Sequence, residues 1–101
     1  MHELVEARRP EIEALCRRLG VRRLDVFGSA VGVEFTESSD VDVLVEFDTS
    51  ARTDRFDTYF TLKESLEQLL GRPVDVVSVT AIRNPYFLDE LMRTRENLYA
   101  A

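Results

Sequence analysis

The chain is poor in the residues that cross-link a fold or gather transition metals: Cys16 is its one cysteine and His2 its one histidine. A lone cysteine excludes an internal disulfide and any cysteine-based zinc cluster, and it fits a reducing compartment. His2 sits beside the terminus and Cys16 falls on the apolar stripe of a predicted helix, so neither is a candidate for catalysis. Long hydrophobic runs are missing too. Nothing approaches the ~20 apolar residues that span a bilayer, and Met1 to Arg9 mixes charge with small apolar residues, without the hydrophobic segment of a secretory signal. The expectation is a cytoplasmic protein with no membrane association. Basic residues are in deficit, 13 Lys and Arg against 19 Asp and Glu, for a net charge of 13 − 19 = −6. Proteins that grip a nucleic-acid backbone do so with clustered Lys and Arg, so direct nucleic-acid binding is not expected. A small polyanion carried with a metal remains compatible with this balance.

What is present is an ordinary globular composition. In 101 residues, 45% are hydrophobic and 32% charged, enough for one modest core, and there is no repeat, low-complexity tract or Gly/Ser linker. A single domain over residues 1–101 is expected.

The order of elements can be read from spacing. Ile12, Leu15, Cys16 and Leu19 recur at helical intervals, with Pro10 in the first turn and Gly20 at the C-terminal cap. Residues 2–8 can add a turn before Pro10, with a break expected at Arg9, because proline disfavours a helical residue before it. Val21 to Phe27 reads as a strand ending at Gly28. From Asp40 to Phe47 the alternation is sharper. Val41, Val43, Val45 and Phe47 share one face, expected to be core, and Asp40, Asp42, Leu44 and Glu46 share the other, expected to be polar. A helix is predicted from Thr53 or Asp54 to Leu70, carried by Phe56, Tyr59, Leu62, Leu66, Leu69 and Leu70 and closed by Gly71. Pro73 then leads into a β-rich run from Val74 to Val79. Asn84 and Pro85 begin a last helix with Leu88, Leu91 and Met92 as its buried stripe, and residues 97–101 are either an edge strand or a frayed end. Strands alternating with helices imply an α/β (α+β) fold, a small sheet flanked by helices.

The chemistry lies in Gly28-Ser29 at the end of one strand, ten intervening residues, and Asp40-Val41-Asp42 at the start of the next. A strand places Asp40 and Asp42 on one face, about 6.5–7 Å apart, where carboxylates can converge on divalent cations and support phosphoryl transfer. Hard Mg²⁺ prefers such oxygen ligands. Gly28 lets a phosphate approach the backbone, and Ser29 offers a hydroxyl and an amide; a short helix beginning at residues 29–33 would add N-terminal amides. Asp75 lies inside the apolar run Val74 to Val77, where an acid is costly without a partner. A metal shared with Asp40 and Asp42 would supply one, which makes Asp75 the candidate third metal-binding carboxylate as well as the candidate general base. Taken singly, Gly28-Ser29 reads as a turn, Asp40-x-Asp42 as a solvated strand face and Asp75 as either an exposed edge residue or a buried acid; in combination and in this order they point to a site. Asp25, also an acid within a strand, reads as structural.

These residues carry a resemblance. Val26-Phe27-Gly28-Ser29, then Ser39-Asp40-Val41-Asp42 through Phe47, then Leu70-Gly71-Arg72-Pro73-Val74-Asp75-Val76-Val77 resemble the minimal nucleotidyltransferases of the DNA polymerase β superfamily. Their signature is Gly-Ser, ten residues, Asp-x-Asp and a later Asp. The resemblance implies the polymerase β-like nucleotidyltransferase fold, with Gly28 and Ser29 on the triphosphate of ATP, Asp40 and Asp42 on Mg²⁺, and Asp75 completing the triad. It further implies an antitoxin that transfers AMP to a tyrosine of a HEPN-type ribonuclease toxin, its protein partner, since the helical domain that larger relatives use for a small acceptor is not found within this sequence. Family members commonly continue Gly-Ser-x-Ala-Arg-Gly, whereas here the run is Gly28-Ser29-Ala30-Val31-Gly32-Val33. The cation that would help with phosphate charge is missing there, leaving Arg52, Arg55 and Arg72 as substitutes. The competing expectation is a degenerate site and an antitoxin that neutralises by stoichiometric binding. A free-standing transferase for a small hydroxylated acceptor is a third.

Overall fold

A computed structural model describes residues 3–28, 40–48 and 55–101. Its elements are α1 (Glu3–Glu6), α2 (Arg9–Leu19), β1 (Val21–Phe27), β2 (Val41–Phe47), α3 (Arg55–Leu70), β3 (Val74–Ser78), a single 3₁₀ turn (Val79–Ala81), α4 (Pro85–Thr94) and β4 (Glu96–Ala100). The boundaries follow local chemistry. Gly20 stops α2 in the left-handed region at φ 72°, its N–H turned back to the carbonyls of Cys16 and Arg17. Asn84 caps α4, its side chain accepting from the backbone N–H groups of Tyr86 at 2.9 Å and Phe87 at 3.4 Å. The break before Pro10 falls at Ala7 and Arg8, and Arg9 is already helical. The start expected for α3 at Thr53 or Asp54, and the short helix expected after Ser29, lie outside the described residues.

The strands form a mixed sheet in the order β3-β2-β1-β4. β1 runs antiparallel to both β2 and β4, while β3, reached through the α3 crossover, runs parallel to β2. The last residues are therefore an edge strand. One face packs Leu24, Val26, Val41, Val43, Val45 and Val76 against Ile12, Leu15 and Cys16 of α2 and Leu62, Leu66 and Leu70 of α3. The opposite face is only partly polar, which corrects the expectation for β2. Leu44 is fully buried there with Phe27 and Leu91, flanked by Val77, Val79 and Ile82, because α4 lies across it. Of α4's expected stripe only Leu91 is buried; Leu88 is half-buried and Met92 exposed.

Both edge strands are capped by side chains, which blunts edge-to-edge pairing. On β3, the Tyr59 hydroxyl donates to the Val76 carbonyl at 2.8 Å, Lys63 donates to the Val74 carbonyl at 2.6 Å, and Glu67 accepts from the Val74 N–H at 3.1 Å. On β4, Arg9 donates to the carbonyls of Leu98 at 3.1 Å and Asn97 at 3.4 Å. Among the described residues no helix is long and apolar enough to cross a membrane.

Candidate active site

The register of three strands assembles the site. Phe27 pairs with Asp42 across β1 and β2, and Asp42 pairs with Asp75 across β2 and β3. Paired residues on neighbouring strands point to the same face, about 4.8 Å apart along the hydrogen-bonding direction. Asp40, two residues before Asp42, shares that face. The carboxylates stand at the sheet end where β1 finishes and β2 and β3 begin, on the face opposite the α2–α3 core. Asp42 is half-buried, and Asp40 and Asp75 are exposed. Of the two readings open for Asp75, edge exposure and burial, the structure shows the first: β3 is an edge strand and Asp75 is exposed on it.

Gly28 closes the site from the β1 side. Its φ is +71°, and a Cβ there would fall 2.6 Å from Oδ2 of Asp42. The left-handed backbone favours glycine, and a side chain there would have to push the Asp42 carboxylate aside, so the main chain of Gly28 lies directly against that carboxylate. Burial, and next the negative charges of Asp75 and Asp40, push the Asp42 carboxyl above its ordinary value. The acids thus crowd one another. The adjoining sequence cannot relieve them, since Phe27 through Asp48 contains no Lys, Arg or His.

This donor set fits a hard divalent cation. All its atoms are carboxylate oxygens, their mutual repulsion is relieved by positive charge, and the Gly28 cradle leaves Asp42 approachable. No group of three His, Cys, Asp or Glu among the described residues is gathered tightly enough to hold a cation alone. The expected three-carboxylate metal set of Asp40, Asp42 and Asp75 is therefore not gathered in this structure; Mg²⁺ in general binds through one or two carboxylates and takes its other oxygens from water and substrate phosphates. Ser29, the second expected phosphate contact, lies outside the described residues, as does Arg52; α3 begins at Arg55. Arg72 is half-buried in the turn between α3 and β3 and is engaged within the protein.

Asp25 is structural, as expected. Its side chain is 1% exposed, and it accepts from Arg23 at 2.9 Å, Arg95 at 3.1 Å and Asn97 at 3.0 Å. Sequence reasoning missed those partners on β4 and at the end of α4, and no local signal marks them. Cys16 is fully buried, and burial lifts its thiol to about 12, so it is inert. Two open clefts, one between α2 and α3 lined by Glu11, Arg18, Ser65 and Gln68, the other along β4 lined by Arg9, Glu13 and Tyr99, include none of the site carboxylates.

Comparison with known proteins decides the family. The polymerase beta nucleotidyltransferase pattern matches residues 11–101. The chain belongs to the polymerase β-type nucleotidyltransferases. The protein adenylyltransferase MntA of Thermococcus cleftensis is 43% identical over 70 residues, 69% of this chain and 68% of that one. A Methanocaldococcus jannaschii relative, also named as a protein adenylyltransferase, is 37% identical over 86 residues, 85% of each chain. Among solved structures, one described as a minimal nucleotidyltransferase superposes with a TM-score of 0.79 at 38% identity, covering 95% of both chains. A complex of a tri-AMPylated Shewanella oneidensis HEPN toxin with its MNT antitoxin contains a similar chain at a TM-score of 0.66, 17% identity and coverage of 96% and 73%. At that identity the likeness shows the fold. This nucleotidyltransferase carries Asp42 and Asp75 as paired neighbours on one sheet face, with Asp40 two residues before Asp42.

Proposed function

We propose that this nucleotidyltransferase is an antitoxin that transfers AMP from ATP to a tyrosine hydroxyl of a HEPN-type ribonuclease toxin. The observation that carries this reading is the row Gly28, Asp42, Asp75, with Asp40 on the same face and Gly28 held against the Asp42 carboxylate. Relatives named protein adenylyltransferases, and the HEPN toxin complexes that share the fold, support it.

In this reading Asp40 and Asp42 hold Mg²⁺, Asp75 completes the acidic set, and Gly28 with Ser29 receives the triphosphate. The cation, when bound, supplies positive charge to the reacting phosphate and its leaving group. The chain's own residues do the rest. Gly28 lets the phosphate chain approach the main chain, where any larger residue would displace Asp42. Asp75, exposed and beside Asp42, takes the proton of the incoming tyrosine hydroxyl. As that proton leaves, the tyrosine oxygen bonds to the α-phosphorus and the bond from the α-phosphorus to the β-phosphate bridging oxygen breaks, releasing pyrophosphate. Covalent modification would silence the toxin.

The test is intact mass spectrometry of the toxin partner after incubation with the chain, ATP and Mg²⁺, with an Asp40→Asn, Asp42→Asn control. Mass gained in whole AMP units, and absent with the control, supports the reading; unmodified toxin refutes it. The lack of any cation from Phe27 through Asp48 favours one alternative, an antitoxin that masks the toxin stoichiometrically. In that case the control variant neutralises as well as the parent chain.

A further inference from the structure

Asp75 stands on an edge strand, with a neighbouring strand on one side only. Among the described residues nothing donates to its carboxylate, and the like charge of Asp42 repels it. Its placement therefore comes through its main chain. The Pro73 carbonyl accepts from the Val41 N–H at 3.1 Å. Backbone groups of successive strand residues turn to opposite edges, so Asp75, two residues on, also faces β2, while Val74 and Val76 turn theirs outward.

On a bare edge those outward groups would be left to water. Here they meet α3. Lys63 donates to the Val74 carbonyl at 2.6 Å, Glu67 accepts from the Val74 N–H at 3.1 Å, and the Tyr59 hydroxyl donates to the Val76 carbonyl at 2.8 Å. Glu67 also pairs with Lys63 at 3.3 Å and steadies it. The three are spaced four residues apart on one stripe of the helix, which is itself seated by the buried Leu62 and Leu66. The side chains of Val74 and Val76 are buried in that same core. The residue on each side of Asp75 is thus fixed by packing beneath the sheet and by hydrogen bonds along its edge. α3 covers the face opposite the acids, so its side chains act on Asp75 only through the main chain.

We infer that Tyr59 and Lys63 are positioning residues for Asp75, holding β3 at the spacing from β2 that keeps the Asp75 carboxylate in reach of the acceptor hydroxyl. The inference rests on the reaction proposed above, in which Asp75 takes the tyrosine proton, and adds what keeps that base in place. Without the bonds from α3 the edge strand yields to the repulsion between Asp75 and Asp42, and misplacing a reacting group by about 1 Å can cost ~10²-fold in rate. Gly28, Asp40 and Asp42, which take the nucleotide and Mg²⁺ in that reading, lie on β1 and β2 or at their ends and keep their places.

The test measures AMP transfer by the full chain to a purified HEPN ribonuclease partner, with kcat and KM for ATP referred to folded protein below every melting transition. The variants are Tyr59→Phe, Lys63→Met, the two combined, Lys63→Arg, which keeps a donor for the Val74 carbonyl, and Val43→Ala, which weakens the core without touching the β3 edge. The expected result for the double variant is kcat lowered ~10-fold or more, with KM for ATP within about twofold of wild type. Each single variant should show a smaller loss of the same kind, Lys63→Arg should recover toward wild type relative to Lys63→Met, and Val43→Ala should keep its kcat. Tyr59→Phe retains the ring and decides the matter if the double variant does not fold. Wild-type kcat in the folded variants, a loss confined to KM, or an equal loss of kcat in Val43→Ala would overturn the inference and leave the functional reading standing. A wild-type chain that transfers no AMP would instead overturn the functional reading, and this inference with it.

Discussion

Gly28→Ala separates what the site needs from what the fold needs, because Gly71→Ala supplies a matched control. Both glycines are left-handed, at φ +71° and +67°, and each variant bears the cost of an alanine in that region, about 1–2 kcal/mol. For a domain of this size that lowers the melting temperature by roughly 4–16 °C. The surroundings differ. A Cβ on Gly71 meets nothing within 4 Å, whereas one on Gly28 falls 2.6 Å from Oδ2 of Asp42 and must reach at least 3.4 Å for ordinary contact, so the two must separate by 3.4 − 2.6 = 0.8 Å. That oxygen is the end of a rotatable side chain, so the clash is relieved by swinging the carboxylate and adds little to the stability loss. The same swing is what the site cannot absorb, since misplacing a reacting group by about 1 Å can cost ~10²-fold in rate. Thermal melts should therefore show two similarly destabilised variants. Single-turnover AMP transfer, below both melting transitions, should show Gly71→Ala near wild type and Gly28→Ala down by about 10²-fold. Equal transfer rates in the two variants would refute the role given to the contact between Gly28 and Asp42.

Other outcomes follow from the same geometry. Because the Asp42 carboxyl is raised in the folded chain, its stabilising contribution is complete below the unfolded carboxylate range and is lost as pH rises through the folded value. Asp42→Asn should therefore become progressively more stable than wild type in urea melts taken from pH 3 to neutrality; a constant difference would contradict the crowding of Asp40, Asp42 and Asp75. Asp25→Ala leaves the guanidinium groups of Arg23 and Arg95 without their carboxylate, and because these are 37% and 20% exposed the loss should be about 2–3 kcal/mol in equilibrium denaturation, below the ~3–5 of a fully buried pair. A loss under half a kilocalorie would show that Asp25 does not hold β4 and α4 to β1. Tyr59→Phe removes one hydrogen bond to the β3 edge and should cost about 1 kcal/mol, read from the urea midpoint. Cys16, with its thiol near 12, should react with Ellman's reagent only at the rate of unfolding, and rapid labelling of the native chain would contradict its burial.

Local boundaries were legible because they depend on neighbours in sequence. Pro10, Gly20, Gly71 and the Asn84-Pro85 pair each impose a backbone geometry wherever the chain goes, and the alternation of Val41, Val43 and Val45 requires one buried strand face. What was not legible depends on distant partners. Leu44 sits between acidic residues and reads as part of a polar face until α4 brings Leu91 against it. Met92 fits a buried stripe by spacing, yet α4 touches the sheet along a narrower line than its sequence offers. The partners of Asp25, Arg95 and Asn97, lie 70 and 72 residues away, beyond any periodicity. Asp75 could not be placed from sequence, since an acid among valines is costly in a central strand and unremarkable on an edge strand, and which of these β3 is depends on the sheet order.

The acidic row is a consequence of register, and that ties the site to the core. Side chains alternate with a period of two, so the pairing that puts Val41, Val43 and Val45 into the buried face also puts Asp42 beside Asp75 and Phe27 on the other. A slip of one residue between β2 and its neighbours would drive Asp42 and Leu44 into the valine face and expel Val43, exchanging buried methyl groups for a desolvated carboxylate. The valines therefore hold the carboxylates in line without touching a substrate. Val43→Ala should then destabilise the chain by removing buried methyl groups while leaving transfer, measured on the fraction still folded, close to wild type. A loss of transfer well beyond the loss of folded protein would mean that side-chain packing tunes the row directly, and that register alone does not place it.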